Sequence, residues 1–130
     1  MLSSMTPTIL LKYDEVVMVV GTPGGSTIFT SVFQTIMNII DFGMTPRDAI
    51  DAARFHHQLL PPDLIIFGPS RPLPDETLSL LGDRGYRTTS HFDFGDIQVI
   101  YDDGNGVKAA SDPRNRGESR VIDADPAPAN

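Results

Sequence analysis

The sequence predicts an α/β (α+β) fold in which strands pack against helices. Residues 8–12 and 16–20 are short runs rich in Ile, Leu and Val, which are typical of strands. Residues 26–42 carry apolar side chains at helical spacing, and further short apolar runs continue to residue 110. Eleven glycines and eleven prolines predict many turns between these elements. The length of 130 residues suits one domain with its own core.

The first half of the chain predicts a strand pair followed by a buried helix. Residues 13–15 form a tight turn between the strands, and the second strand is apolar throughout, as in a strand covered on both faces. In the helix at residues 26–42, two sets of apolar residues recur at helical spacing and occupy much of its circumference. We therefore expect burial against a sheet, with Ser26 as N-cap and Gly43 as the stop.

The second half predicts shorter elements. Thr45 as N-cap and Pro46 at the first helical position begin a second helix, which we expect to end near Arg54. Strands are predicted at residues 64–67, 86–90, 96–101 and 106–110, and a helix at residues 74–84. Residues 102–106 read Asp-Asp-Gly-Asn-Gly and predict a hairpin turn. The polar, proline-containing sequence at residues 115–130 predicts a loose tail after a domain at residues 1–114.

Charge and composition exclude several functions. The net charge of −7 argues against nucleic acid and anionic membranes as partners, because both require a basic surface. The absence of cysteine excludes disulfides, thiolate nucleophiles and cysteine-bound metals. Residues 16–40 carry no charge, but the glycine-rich segment at residues 21–26 interrupts them, so no membrane span is predicted.

The strongest local signal is the segment Gly-Thr-Pro-Gly-Gly-Ser at residues 21–26, between a strand and a helix. Gly24 and Gly25 permit backbone angles that other residues disfavour, and the unpaired amides at the helix start attract negative charge. Such a turn can hold a phosphate, a carboxylate or a developing oxyanion. A phosphate loop would need a lysine, which the segment lacks. From spacing alone, an ordinary strand-to-helix turn is an equally good interpretation.

Other polar residues give weaker signals. His56 and His57 are neighbours, and neighbours on a strand point to opposite faces, so they are expected to pack or to form hydrogen bonds instead of binding one metal. The turn at residues 102–106 faintly resembles a calcium loop, but Gly104 stands at a ligand position and Pro113 where the closing Glu should be, so a hairpin is the better interpretation. Asp112 and Arg114 could form an ion pair that holds the tail. We predict no metal and no cofactor.

Four segments together resemble the C-terminal part of the small subunit of the γ-glutamyltranspeptidase (γ-glutamyltransferase, glutathione hydrolase) family. The resemblance covers residues 2–114, and its combination of motifs is specific although each one alone is weak. Thr22, where serine is commoner, and Ala53, where proline is common, are mild departures. The four segments are Leu-Ser-Ser-Met-Thr-Pro-Thr (2–8), Gly-Thr-Pro-Gly-Gly-Ser (21–26), Asp-Ala-Ala-Arg-Phe-His-His-Gln (51–58) and Ala-Ser-Asp-Pro-Arg (110–114).

The resemblance implies an N-terminal-nucleophile hydrolase fold, an αββα sandwich of sheets between helices. It also implies an enzyme, periplasmic or secreted, that cleaves the γ-glutamyl amide of glutathione-like compounds and transfers the γ-glutamyl group to water, an amino acid or a peptide. Gly24 and Gly25 would supply the oxyanion-hole amides. Ser3 and Ser4 would bind the α-carboxylate of the γ-glutamyl group.

The resemblance further implies that the chain is a fragment without the nucleophile. In the family, the nucleophilic threonine lies in a Thr-Thr-His segment upstream of the Ser-Ser motif, at which this sequence begins. The fragment would then be inactive alone, would require the rest of the small subunit and the large subunit, and would self-associate through its uncovered surfaces. The alternatives are a non-catalytic module that binds an anion or small ligand at Gly24 and Gly25, and a fragment with only a structural or assembly role.

Overall fold

The structure is a computed structural model that describes residues 6–122, and this part of the chain is a mixed α/β fold. A short 3₁₀ turn at Gly25–Thr27 precedes the first helix. The predicted fold class is confirmed, since both strands and helices occur and the helices pack on the strands. The elements are β1 (Thr8–Lys12), β2 (Glu15–Gly21), α1 (Ile28–Ile40), α2 (Pro46–Asp51), β3 (Phe55–His57), β4 (Leu64–Phe67), α3 (Asp75–Asp83), β5 (Arg87–Ser90), β6 (Gln98–Asp102) and β7 (Val107–Ser111).

A four-stranded antiparallel sheet in the order β1-β2-β6-β7 carries the core. Its register places Val20 opposite Val99, and Val99 opposite Ala110. All three are buried on the face that packs against α1 and α2. Each fully buried aliphatic side chain of this kind contributes about 1.5–3 kcal/mol, so this face anchors the domain. The helices contribute Ile28, Val32, Ile39, Ala49 and Ile50.

A second, three-stranded sheet has the order β3-β4-β5. Strands β3 and β4 are antiparallel, whereas β4 and β5 are parallel and are joined through α3. A parallel pair requires such a crossover, because its strands run in the same direction. This sheet lies beside α1, since α1 contacts β3. Strand β3 thereby places His56 next to the first turn of α1, where its Nδ1 lies 2.9 Å from the Thr30 hydroxyl.

Within residues 6–122, the core covers only one face of α1 and one face of β2. The α1 residues Phe29, Phe33 and Ile40 are exposed. On the outer face of the four-stranded sheet, Ile9, Val19 and Ile100 lie side by side in register and are also exposed. We call these three residues the outer row. Within residues 6–122, β2 is therefore covered on one face and α1 buries one of its two apolar sets, and cover of the remaining surfaces by other parts of a larger enzyme stays a prediction.

Several predicted boundaries differ from the structure. Ser26 does not cap a helix, because it lies inside the 3₁₀ turn and α1 begins at Ile28. Thr45 is confirmed as the N-cap of α2, where its hydroxyl accepts the Asp48 N–H at 3.2 Å. This helix ends at Asp51, three residues before the predicted end. Among residues 6–122, no helix is both long enough and apolar enough to cross a bilayer.

Candidate functional site

Gly24 and Gly25 lie at the exposed turn between β2 and α1. Gly24 has φ 147° and Gly25 has φ 59°, both in a region that side chains disfavour. A Cβ atom on Gly24 would also lie 2.8 Å from the Thr27 hydroxyl oxygen, whereas one on Gly25 would enter open space. Glycine is therefore required at position 24 by angle and by space, whereas at position 25 it is favoured by angle alone.

The two glycine amides are available donors. Neither the Gly24 nor the Gly25 N–H donates to an acceptor within residues 6–122. They precede α1, whose first turn contains no acidic residue to offset the positive end of the helix dipole. Two exposed donors beside an uncompensated helix start suit an anion or a developing oxyanion. The role of Gly24 and Gly25 in an oxyanion hole stays a prediction.

The predicted carboxylate-binding serines, Ser3 and Ser4, lie outside the described residues. The structure therefore shows one half of the predicted site, the glycine turn. The predicted division of the chain at residue 114 also stays a prediction, although Arg114 itself is firmly anchored. Its guanidinium donates to the carbonyls of Ile50 and Ala52 at 2.8 and 3.0 Å, where α2 ends.

A buried ion pair lies behind the turn. Arg54 is 4% exposed and Asp112 is fully buried, and Arg54 Nη2 lies 2.7 Å from Asp112 Oδ2. The Asp112 carboxylate also accepts the N–H groups of Ile97 and Arg114, one on each oxygen. The pair thus joins the end of α2 to the start of β6 and the end of β7.

Burial and charge act in opposite directions on this pair. Burial raises the pKa of Asp112, but the charge of Arg54 and the two backbone donors outweigh it, so the pKa lies below its ordinary value. Burial lowers the pKa of Arg54, and Asp112 offsets part of that change. The predicted ion pair between Asp112 and Arg114 is confirmed at 3.3 Å, whereas the pairing of Asp112 with Arg54 was not predicted. The sequence indicates the burial of Arg54 by its apolar neighbours in the chain, Ala52, Ala53 and Phe55.

The two histidines take part in packing and hydrogen bonding, as predicted. His56 is buried, with Nδ1 2.9 Å from the Thr30 hydroxyl and Nε2 2.7 Å from Gln58 Oε1. His57 meets the Tyr86 ring edge to face, with 6.2 Å between the ring centroids. In the part of the chain that the structure describes, no three His, Asp or Glu side chains gather in a way that could hold a metal ion.

Sequence comparison relates the chain to one family. Residues 1–122 match the family model described as Gamma-glutamyltranspeptidase. The glutathione hydrolase proenzyme of Pseudomonas aeruginosa is 46% identical over 94% of this chain, which corresponds to 22% of that protein. The proenzyme of Escherichia coli is 40% identical over 88% of this chain and 19% of its own length. The chain thus spans about a fifth of the length of these curated relatives.

Structural comparison agrees. The γ-glutamyltranspeptidase from Pseudomonas nitroreducens, complexed with L-DON, matches with a TM-score of 0.87 and 44% identity over 95% of this chain and 64% of that one. A cephalosporin acylase from Bacillus halodurans matches with a TM-score of 0.79 and 29% identity over 92% of this chain and 22% of that one. The family resemblance is confirmed: the chain belongs to the γ-glutamyltranspeptidase family.

Proposed function

We propose that this chain is part of an enzyme that cleaves the γ-glutamyl amide of glutathione-like compounds and transfers the γ-glutamyl group to water, an amino acid or a peptide. The name of the curated relatives, glutathione hydrolase, supports this substrate class. The observation that carries the proposal is the turn at Gly24 and Gly25, two exposed residues just before α1 whose N–H groups have no acceptor within residues 6–122. The chain contributes electrostatic stabilisation to that reaction.

The chemistry follows from what an acyl transfer requires. Attack on the amide carbon places negative charge on the carbonyl oxygen, and preorganised N–H donors stabilise that charge without reorganising. Gly24 and Gly25 would supply these donors, and the hydroxyls of Ser3 and Ser4 would donate to the substrate α-carboxylate. The attacking threonine and the groups that hold the substrate amine would come from the rest of the small subunit and from the large subunit. On this proposal the chain alone has no γ-glutamyl amidase activity.

A matched pair of glycine substitutions tests the proposed role of the turn in the intact enzyme. Gly25 and Gly43 both have φ near 60° and open space for a Cβ atom, but Gly43 follows the far end of α1. Alanine at either position costs about 1–2 kcal/mol of backbone strain. Only Gly25→Ala should lower kcat, because alanine keeps the N–H but disfavours the φ angle that directs it; the upper bound is about 10²–10³-fold, the range for one lost oxyanion donor.

The measurement is steady-state turnover of a chromogenic γ-glutamyl amide, with folding checked by thermal melting. A folded Gly25→Ala variant with wild-type kcat would contradict the oxyanion role. If the intact protein binds carboxylates at the turn but never turns over the amide, the chain is the anion-binding module that the sequence left as the alternative.

A further inference from the structure

Two threonine hydroxyls lie directly behind the glycine turn. Thr22 Oγ1 donates to the carbonyl of Pro23 at 2.8 Å. Thr27 Oγ1 donates to the carbonyl of Gly24 at 2.9 Å, and the Thr27 N–H donates to the same oxygen at 3.2 Å. These two carbonyls belong to the peptide groups that carry the Gly24 and Gly25 N–H groups. The threonines therefore contact the reverse side of both proposed donors.

Holding a carbonyl determines the direction of the N–H in the same peptide group. A trans peptide is planar, and its C=O and N–H point in opposite directions. The peptides at Pro23–Gly24 and Gly24–Gly25 are both trans. Each threonine holds a carbonyl inward, so the attached N–H is directed outward. Without the hydroxyls, the Pro23 carbonyl would lose its threonine donor and the Gly24 carbonyl would keep only the Thr27 N–H, so both peptide groups would be held less firmly, because glycine has the widest range of backbone angles.

Thr22 is itself held from two sides. Its side chain is completely buried, and Oγ1 accepts the Asp96 N–H at 2.7 Å while donating to Pro23. Gly95 has φ 81°, and a Cβ atom there would lie 3.2 Å from Thr22 Oγ1 and 3.3 Å from Arg54 Nη1. The loop before β6 thus packs closely on the hydroxyl. The single hydroxyl proton of Thr22 is directed to Pro23, because its other neighbour is a donor.

We propose that Thr22 and Thr27 are positioning residues that direct the Gly24 and Gly25 amides toward the reacting carbonyl oxygen. The inference rests on the proposed function, and it assigns the turn's geometry to two side chains that do not touch substrate. It also connects the loop at Gly95 and Asp96 to the turn through the Thr22 hydroxyl.

The test compares Thr22→Val with Thr22→Ser in the intact enzyme. Valine keeps the shape of the side chain and removes both hydrogen bonds of the hydroxyl. We therefore expect kcat to fall about 10–100-fold, which is less than the effect of losing an oxyanion donor outright. KM should change by less than about threefold. Serine keeps the hydroxyl and should retain kcat within about threefold. The control is Thr35→Val, because Thr35 is equally buried but its hydroxyl donates to Ser31 within α1.

A second measurement separates this inference from the proposed function. In the same proteins with isotope-labelled glycine, Thr22→Val should shift the Gly24 amide resonance and speed its hydrogen exchange, and Thr35→Val should not. If the wild-type enzyme shows no amide turnover, the proposed function fails while the resonances still decide the inference. If Thr22→Val does not fold, the same comparison is made with Thr27→Val, and the resonance that is followed is then that of the Gly25 amide. Equal losses for valine and serine, or unchanged glycine resonances, would overturn the inference.

Discussion

Replacing Asp112 by asparagine should strongly destabilise the fold while keeping the shape of the side chain. The two carboxylate oxygens each accept one backbone N–H, from Ile97 and from Arg114. An amide has one oxygen, so one of these two donors would face an NH₂ group instead. Arg54, which is 4% exposed, would at the same time lose its buried counter-charge.

The magnitude follows from these two losses. Removing one partner of a buried ion pair costs about 3–5 kcal/mol, and leaving a buried donor unsatisfied costs about 1–3 kcal/mol. The two terms overlap because they arise in one network, so we expect a decrease of about 3–5 kcal/mol in the free energy of unfolding. Total stabilities are about 5–15 kcal/mol, so such a variant would be close to unfolding.

The free energy of unfolding is measured by urea denaturation at neutral pH, with circular dichroism as the signal. The control is Glu118→Gln, which removes an exposed pair with Arg120 and should cost at most about 1 kcal/mol. The double variant Arg54→Met with Asp112→Asn also removes the buried guanidinium and should be more stable than Asp112→Asn alone, because Arg54 is then no longer buried without its counter-charge. If the free energy of unfolding of Asp112→Asn lies within about 1 kcal/mol of the wild-type value, the buried pair does not stabilise the fold as its geometry indicates.

Three further predictions concern acid, substrate binding and association. The folded pKa of Asp112 is depressed, so its contribution to stability is present above the unfolded pKa of about 3.9 and is lost as pH falls through the lower folded value. In Asp112→Asn, the free energy of unfolding should therefore depend less on pH below about pH 4 than it does in the wild type. Acid unfolding curves of the two proteins with the same slope would refute this. Replacing Ser3 and Ser4 by alanine in the intact enzyme should raise KM for γ-glutamyl substrates but not for analogues without the α-carboxylate; equal losses would exclude carboxylate binding. The isolated chain should form a dimer through the outer row, which is exposed and apolar. Light scattering during size exclusion should detect this dimer and show that Ile100→Glu weakens it. A folded wild-type monomer that binds no hydrophobic dye would contradict this prediction.

The sequence alone determined the features that depend on neighbouring residues. The strands at Thr8–Lys12 and Leu64–Phe67 follow from runs of apolar residues, and the α2 cap follows from Thr45 and Pro46. The glycine turn followed from two glycines between a strand and a helix. Each signal lies within a few residues, so it can be recognised before the chain is folded.

Only the tertiary structure decided which surfaces are covered and which distant side chains meet. Both apolar sets of α1 have helical spacing, and packing on the four-stranded sheet selected Ile28, Val32 and Ile39 for the core. Arg54 and Asp112 are 58 residues apart in sequence, and Thr22 and Asp96 are 74 apart, so no local pattern could pair them. Such contacts form because sheet register and helix packing bring remote segments together, and burial then makes each unpaired polar group costly enough that it must find a partner.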